Sequence, residues 1–305
     1  MTKLIFFGTP DFACPTLNKL IELDLVQAVV SRPDKPKGRG QKVETSPVAE
    51  IAKQNNLPLL QPLKLNDEFI ADLKQYLPAT FFIVAYGKII PQTVLDLSEL
   101  PPLNIHPSLL PELRGPSPLQ AALLNGLKTT GVTLMQIDAE MDHGPIIDQE
   151  KLTIDQQDYL PELSAKASGL GAELTVKNIR KYLSGELKPK PQNHDMATFC
   201  QMIAKEDGEI NWSEPAEKIR NKIRAFTPWP SAFCFINNKR FKILAADILQ
   251  ATSHKPQAEK WTVLNNLLVV GTGSYPLIIQ KIQPEGKAVM SGLDFINGHQ
   301  EILTA

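Results

Sequence analysis

A short apolar run, Lys3 to Phe7, stops at Gly8-Thr9-Pro10. Asp11 to Leu23 then carries apolar residues at helical spacing, and Val26 to Val30 is apolar again. Strand, helix and strand, joined by tight connections, pack together as a right-handed crossover between two parallel strands. A chain that begins this way is committed to an open parallel sheet covered by helices, an α/β fold. Gly8 lacks the companions of a G-x-G-x-x-G fingerprint, so it is read as permitting the turn and not as a dinucleotide site.

The alternation continues downstream. Ser46-Pro47 reads as the cap and first position of a helix ending near Asn55, Leu57 to Leu60 as a short strand, and Asp67 to Tyr76 as a further helix. Thr80 to Ala85 is apolar without alternation, the mark of a strand buried on both faces. Ser117 to Leu127 reads as a helix, Thr129 to Ile137 and Ile146 to Ile154 as strands, and Asp158 to Leu183 as a long amphipathic helix stopped at Gly185. From Lys188 the pattern collapses into Pro189, Pro191, Asn193 and Asp195, read as a linker over 188–206 between a first domain, 1–187, and a second, 207–305. The second domain opens with a helix to about Arg224, with Lys218, Arg220, Lys222 and Arg224 expected on exposed turns. Short β-like runs follow at 232–236, 241–245, 261–264, 267–270 and 277–281, separated by Asn237-Asn238, Asn265-Asn266 and Gly271-Thr272-Gly273, which predicts a small barrel. Pro228-Trp229-Pro230 is read as a plug between helix and barrel in preference to a base-stacking platform.

Polar chemistry concentrates at two places. Asn104-Ile105-His106-Pro107-Ser108-Leu109-Leu110-Pro111 ends an apolar run in an amide, an imidazole and a proline, and Asp138-Ala139-Glu140-Met141-Asp142-His143-Gly144-Pro145 sets carboxylates after another. Taken singly, Asn104 and Asp142 read as turn caps and His106 as a half-buried histidine. Together they suit acyl transfer: a carboxylate to orient an imidazole, an imidazole to move a proton, and an amide to meet a developing oxyanion. Lys and Arg total 32 against 33 Asp and Glu, a net charge of -1, so any nucleic-acid contact has to come from a local patch. Arg32 to Lys42 is that patch, with five cations against one acid, and its Pro and Gly content predicts a mobile basic loop. Cys14, Cys200 and Cys234 are scattered, which argues against a disulfide framework or a zinc site and for free thiols. The first apolar run is too short for a signal peptide and no stretch has the length to cross a bilayer, so a cytoplasmic protein is expected.

The sequence resembles the folate-dependent formyltransferases, most closely the branch that acts on charged initiator tRNA. The likeness rests on Asn104 to Pro111 with Arg114-Gly115, on Gly131-Val132-Thr133 and on Asp142-His143-Gly144. It extends to Phe6-Phe7-Gly8-Thr9-Pro10-Asp11-Phe12-Ala13, Arg32-Pro33-Asp34, Val84 to Pro91 and Ile223 to Pro230. The resemblance implies a Rossmann-like catalytic domain followed by a C-terminal OB-like barrel that adds basic contacts to RNA. It implies transfer of a formyl group from 10-formyltetrahydrofolate to the α-amine of methionyl initiator tRNA, by a monomer without a metal. It assigns catalysis to Asn104, His106 and Asp142, and the folate pocket to Ser108, Leu109, Leu110 and Pro111 with Tyr86, Gly87 and Ile89. The tRNA acceptor stem falls to Lys37, Arg39 and Lys42. Two positions depart from the family: His143 stands where a hydroxyl residue is common, and Glu112 where a basic one is. A formyltransferase acting on a nucleotide-linked amino sugar would share the Asn-His-Asp set but has no use for the basic stretch. A protein that binds RNA or folate without catalysis has no use for the set itself.

Overall fold

The computed structural model describes residues 2–37, 42–250 and 257–303. The chain divides into two compact units, the first formed by Met1–Gly115, Thr129–Thr153 and Ser164–Phe199, the second by Pro116–Lys128, Ile154–Leu163 and Cys200–Ala305. The 188–206 stretch read as a linker is thus divided at Phe199, and its first part is bonded into the first unit.

The first unit is built on β1 (Leu4–Gly8), β2 (Val26–Val30), β3 (Lys35–Lys37), β4 (Lys42–Glu44), β5 (Leu59–Leu60), β6 (Thr80–Val84), β7 (Leu103–His106), β8 (Thr129–Gln136) and β9 (Ile146–Thr153). Seven of these form one sheet in the order β5-β2-β1-β6-β7-β8-β9. The strands from β5 to β7 are parallel, while β8 runs antiparallel to β7 and β9 to β8. Every residue of β1 and β6 is buried, as expected of central strands covered on both faces. Phe7 packs on Phe81 at 5.1 Å between ring centroids and edge-on against Tyr86 at 5.6 Å.

Helices α1 (Cys14–Glu22), α2 (Pro47–Gln54), α3 (Asp67–Lys74) and α4 (Gln92–Leu95) connect the parallel strands. Their boundaries follow from capping: Ser46 accepts from the Ala49 amide and Asn66 from the Phe69 amide, each filling an orphan donor of the first turn. The basic stretch differs from expectation. Lys35–Lys37 and Lys42–Glu44 pair antiparallel as a two-stranded ribbon, with Pro36 opposite Val43. In a ribbon each strand keeps one free edge, so a proline is tolerated and the composition did not exclude a strand.

In the second unit, α5 (Pro118–Leu124) and α7 (Ala216–Phe226) accompany a six-stranded antiparallel sheet. Between them in sequence lies α6 (Leu160–Leu183), most of which belongs to the first unit. The sheet comprises β10 (Ala232–Ile236), β11 (Lys239–Ile248), β12 (Trp261–Leu264), β13 (Leu267–Val270), β14 (Leu277–Pro284) and β15 (Met290–Ser291), in the order β10-β11-β14-β13-β12 with β15 on β14. All its pairings are antiparallel, as an OB-like domain requires. Asn237-Asn238 and Asn265-Asn266 form two-residue turns with φ of 49° and 62°, and 50° and 61°, the left-handed pair that a tight hairpin needs. Trp212, Phe241, Trp261 and Phe295 fill the core.

Two expectations fail in this unit. Trp229 is 57% exposed and plugs nothing. Arg224 is buried, not on an exposed turn, and donates to the Asp155 and Asp158 carbonyls. Helices α8 (Gly292–Gly298), started by a Ser291–Asp294 capping box, and α9 (Gln300–Leu303) went unforeseen.

Candidate active site

Side chains alternate along β7, and the alternation decides what Asn104 and His106 face. Ile105 lies against α6, where a Cβ on Gly171 would come within 2.9 Å of its Cγ2, so α6 reaches β7 only because residue 171 has no side chain. Asn104 and His106 therefore share the other face. His106 is buried, with Nε2 3.0 Å from the Leu113 carbonyl oxygen. A carbonyl can only accept, so Nε2 carries a proton and donates. The other ring nitrogen, Nδ1, lies 3.5 Å from Asp142 Oδ1, within ion-pair reach but long for a hydrogen bond. Asn104 is half-buried, and its carboxamide has no hydrogen-bond partner among the described residues.

Asp142 reaches this face by an indirect route. Because β8 is antiparallel to β7, its last residue, Gln136, lies opposite Leu103, at the far end of β7 from His106. The connection from β8 to β9 has to fold back over the sheet to bring Asp142 within reach, whereas the sequence places the three residues on the ends of two strands. Three local features allow the return. Asp142 adopts φ of 52°, in the left-handed region that Asp tolerates better than most residues. A Cβ at Gly144 would collide with the Gln136 carbonyl. His143 Nδ1 and Asp138 Oδ2, 2.7 Å apart, close the neck of the loop. At its tip, Asp142 Oδ2 accepts from the Gly115 amide at 2.8 Å.

The turn after His106 is held from β8 and β9. The Thr133 hydroxyl donates to the Ser108 carbonyl and accepts from the Leu110 amide, while Gln149 Nε2 donates to the Leu110 carbonyl and to Thr133 Oγ1. Among the residues expected at the folate pocket, Ser108 is buried and donates to the Glu112 carbonyl at 2.6 Å, Leu110 is buried, and Leu109 packs over Gly131. Pro111 is half-buried. Tyr86 points into the core, its hydroxyl without a partner among the described residues and pushed up to about 12 by burial, an effect the nearby Arg32 guanidinium opposes. Gly87, at φ of 78°, is exposed, and Ile89 is 89% exposed. Lys37 and Lys42 are backbone register partners in the basic ribbon, and Arg39 lies outside the described residues.

Sequence reasoning missed the part of 188–206 that binds both site loops. Lys190 and Ile146 exchange two backbone hydrogen bonds of 2.7 and 2.8 Å. The Thr198 hydroxyl accepts from the Leu113 amide, its carbonyl accepts from the Arg114 amide, and its own amide donates to the Pro111 carbonyl. Between these anchors, buried Gln192 donates to the carbonyls of Asp142 and Gly144 at 2.9 and 2.8 Å. Its Oε1 accepts from Nε and Nη2 of buried Arg114 at 3.1 and 2.6 Å. Arg114 Nη2 also donates to His194 Nδ1, and the His194 ring stacks on His143 at 3.9 Å.

The face thus offers a carboxamide free to donate, an imidazole whose second nitrogen looks at a carboxylate, and an acid held at a fixed distance. That set polarises a carbonyl and relays protons. The chain matches the family model described as Formyl transferase over residues 2–179 and the one described as Formyl transferase, C-terminal domain over residues 202–300. It is 42% identical to a protein named methionyl-tRNA formyltransferase from Thermodesulfovibrio yellowstonii, over 97% of this chain and 96% of that protein. It is 39% identical to one of the same name from Caldanaerobacter subterraneus subsp. tengcongensis, over 97% of each. Among solved structures, the N-formyltransferase from Helicobacter canadensis in complex with folinic acid and dTDP-3-aminofucose shares the fold, with a TM-score of 0.70 and 22% identity over 93% of this chain and all of that one.

Proposed function

The chain belongs to the formyl transferase family, and from that membership we propose that it transfers the formyl group of 10-formyltetrahydrofolate to the α-amine of methionyl initiator tRNA, giving N-formylmethionyl-tRNA. The observation that carries the reading is the meeting of His106 and Asp142 on the face that Asn104 shares, within a chain similar over nearly its whole length to proteins named for this reaction.

Attack by a neutral amine on the formyl carbon gives a tetrahedral oxyanion, and breaking the bond to the folate nitrogen requires a proton there. The Asn104 carboxamide, free of protein partners among the described residues, donates to the oxyanion. His106 is the proton carrier, its orientation set by the Leu113 carbonyl. Asp142 supports a positive imidazolium and assists removal of the amine proton. Its 3.5 Å separation from Nδ1 is a distance that tightens as substrate excludes water. Folate is the co-substrate, entering at the carboxyl edge of β6 and β7 by Gly87 and Ile89. Lys37, Arg39 and Lys42 supply phosphate contacts to the acceptor stem.

The deciding experiment is transfer of labelled formyl from 10-formyltetrahydrofolate to charged initiator tRNA, run beside a nucleotide-linked amino sugar as competing acceptor. Label on the methionyl amine supports the reading. Label on the sugar alone, or on neither, overturns it.

A further inference from the structure

Gln192 has no charge and lies 50 residues from the acid it touches, yet all of its hydrogen-bonding capacity is used. Both N–H groups go to the carbonyls that flank and include the Asp142 peptide, and both lone pairs of Oε1 go to Arg114. Arg114 is buried and has no carboxylate within ion-pair distance among the described residues. A glutamate at 192 would satisfy that cation better than an amide does, since a charged acceptor roughly doubles the strength of such bonds. A carboxylate, however, has nothing to donate. What the amide supplies that the acid lacks is the pair of N–H groups directed at the Asp142 loop.

That loop needs holding. It folds back along β7 against the direction of its parent strand, with a left-handed residue at its tip. Apart from Gln192 and the stacking of His143 on His194, its hold on the His106 side among the described residues is the bond from Gly115 to Asp142 Oδ2. We propose that Gln192, backed by Arg114, is a positioning residue of the transfer reaction: it fixes the backbone of Asp142 and thereby the carboxylate opposite His106. The segment from Lys190 to Thr198 is in this view a strap across the two site loops, with Gln192 as its functional contact. The proposal rests on the assignment of Asp142 to the chemistry.

The test uses Gln192→Glu in the full chain. The variant keeps the acceptor for Arg114, gains an ion pair with it and loses both donations to the loop. Formyl transfer should fall 10- to 100-fold in kcat, the usual loss when an outer partner of a site group is removed. KM for both substrates should stay within about twofold. In an Asp142→Asn background, Gln192→Glu should cost less than about threefold more, because residues acting through one group are not additive. Gln192→Met, which keeps the shape without either bond, carries the same comparison if the glutamate impairs folding. Wild-type kcat, a loss confined to KM, or a full multiplicative loss in the double variant each overturns the proposal. Hydrogen exchange at the Gly115 amide needs no reaction: it should quicken in Gln192→Glu, and unchanged protection there overturns the positioning role even if the transfer reaction itself has been misassigned. Absence of transfer by the wild-type chain would instead be a failure of the reaction assignment.

Discussion

Asp142→Asn isolates the charge from the shape of the site. The asparagine Oδ1 can still accept from the Gly115 amide, so the loop keeps its anchor, and the group turned toward His106 Nδ1 becomes a neutral amide. The magnitude follows from the distance. A full charge 3.5 Å from an imidazolium is worth roughly 5 kcal/mol at an effective dielectric constant of about 20. Partial solvation of a side chain 17% exposed reduces that figure. Single-turnover transfer should therefore slow by about 10²- to 10⁴-fold, or about 3 to 5 kcal/mol in the barrier. The assay is rapid-quench transfer from labelled 10-formyltetrahydrofolate at saturating charged tRNA, with tRNA binding measured in parallel. Binding should be unchanged if the carboxylate acts at the reacting centre, as proposed, and not on the phosphates. A rate within threefold of wild type would remove Asp142 from the chemistry. The same slowing accompanied by a lower melting temperature would show that the charge serves the loop and not the imidazole.

Asn104→Ala should lower kcat by about 10²- to 10³-fold with little change in KM, as loss of an oxyanion donor does, and a loss confined to KM would reassign the amide to binding. Replacing Lys42 with Ala should lower the slope of log affinity against log salt for tRNA by about one, whereas an unchanged slope would take that side chain off the phosphates. Asp148 offers a pH test. Burial alone would raise its carboxyl, but hydrogen bonds from Lys177 and Asn178 on α6 and from the Gln149 amide outweigh that and hold it below the usual carboxylate range. Its contribution is then present above about pH 4, the unfolded value, and lost as pH falls through the lowered folded value. Asp148→Asn should melt lower than wild type at pH 7, by about 0.5 to 1 kcal/mol after screening, and converge with it in strong acid; a gap that persists there would contradict the linkage.

What could be read from the sequence was local. Ser46-Pro47 marked its helix start, the two Asn-Asn pairs marked their hairpins, and the unbroken apolar runs of β1 and β6 marked central strands, because in each case the cause lies within a few residues of the effect. The misreadings share the opposite property. Arg224 is a cation on a helix and reads as solvated, yet it is buried by two carbonyls more than sixty residues away. Pro36 and its neighbours lack strand propensity, and their pairing comes from a partner strand at Lys42–Glu44. The polar, proline-rich stretch after Lys188 has a linker's composition because its bonds are to backbone atoms of distant loops, which leave no apolar periodicity. Asn104, His106 and Asp142 were legible as residue types and as a resemblance. The route by which the acid arrives was not, since the direction of β8 is a property of the sheet.

That direction shapes how the site depends on the rest of the unit. Where all strands are parallel, the loops following them gather at one edge, and each can supply a group without leaving its own strand end. Here β6 and β7 obey that rule: Ile83 pairs with Asn104, so the loop carrying Gly87 and Ile89 leaves by the same edge as His106. The antiparallel β8 breaks the rule and sends its loop out at the opposite edge. Asp142 can join the other two only by crossing the sheet face, which requires a left-handed residue, a missing Cβ at 144 and a clamp from outside the sheet. A carboxylate held in this way is sensitive to substitutions at the clamp as well as at the acid itself.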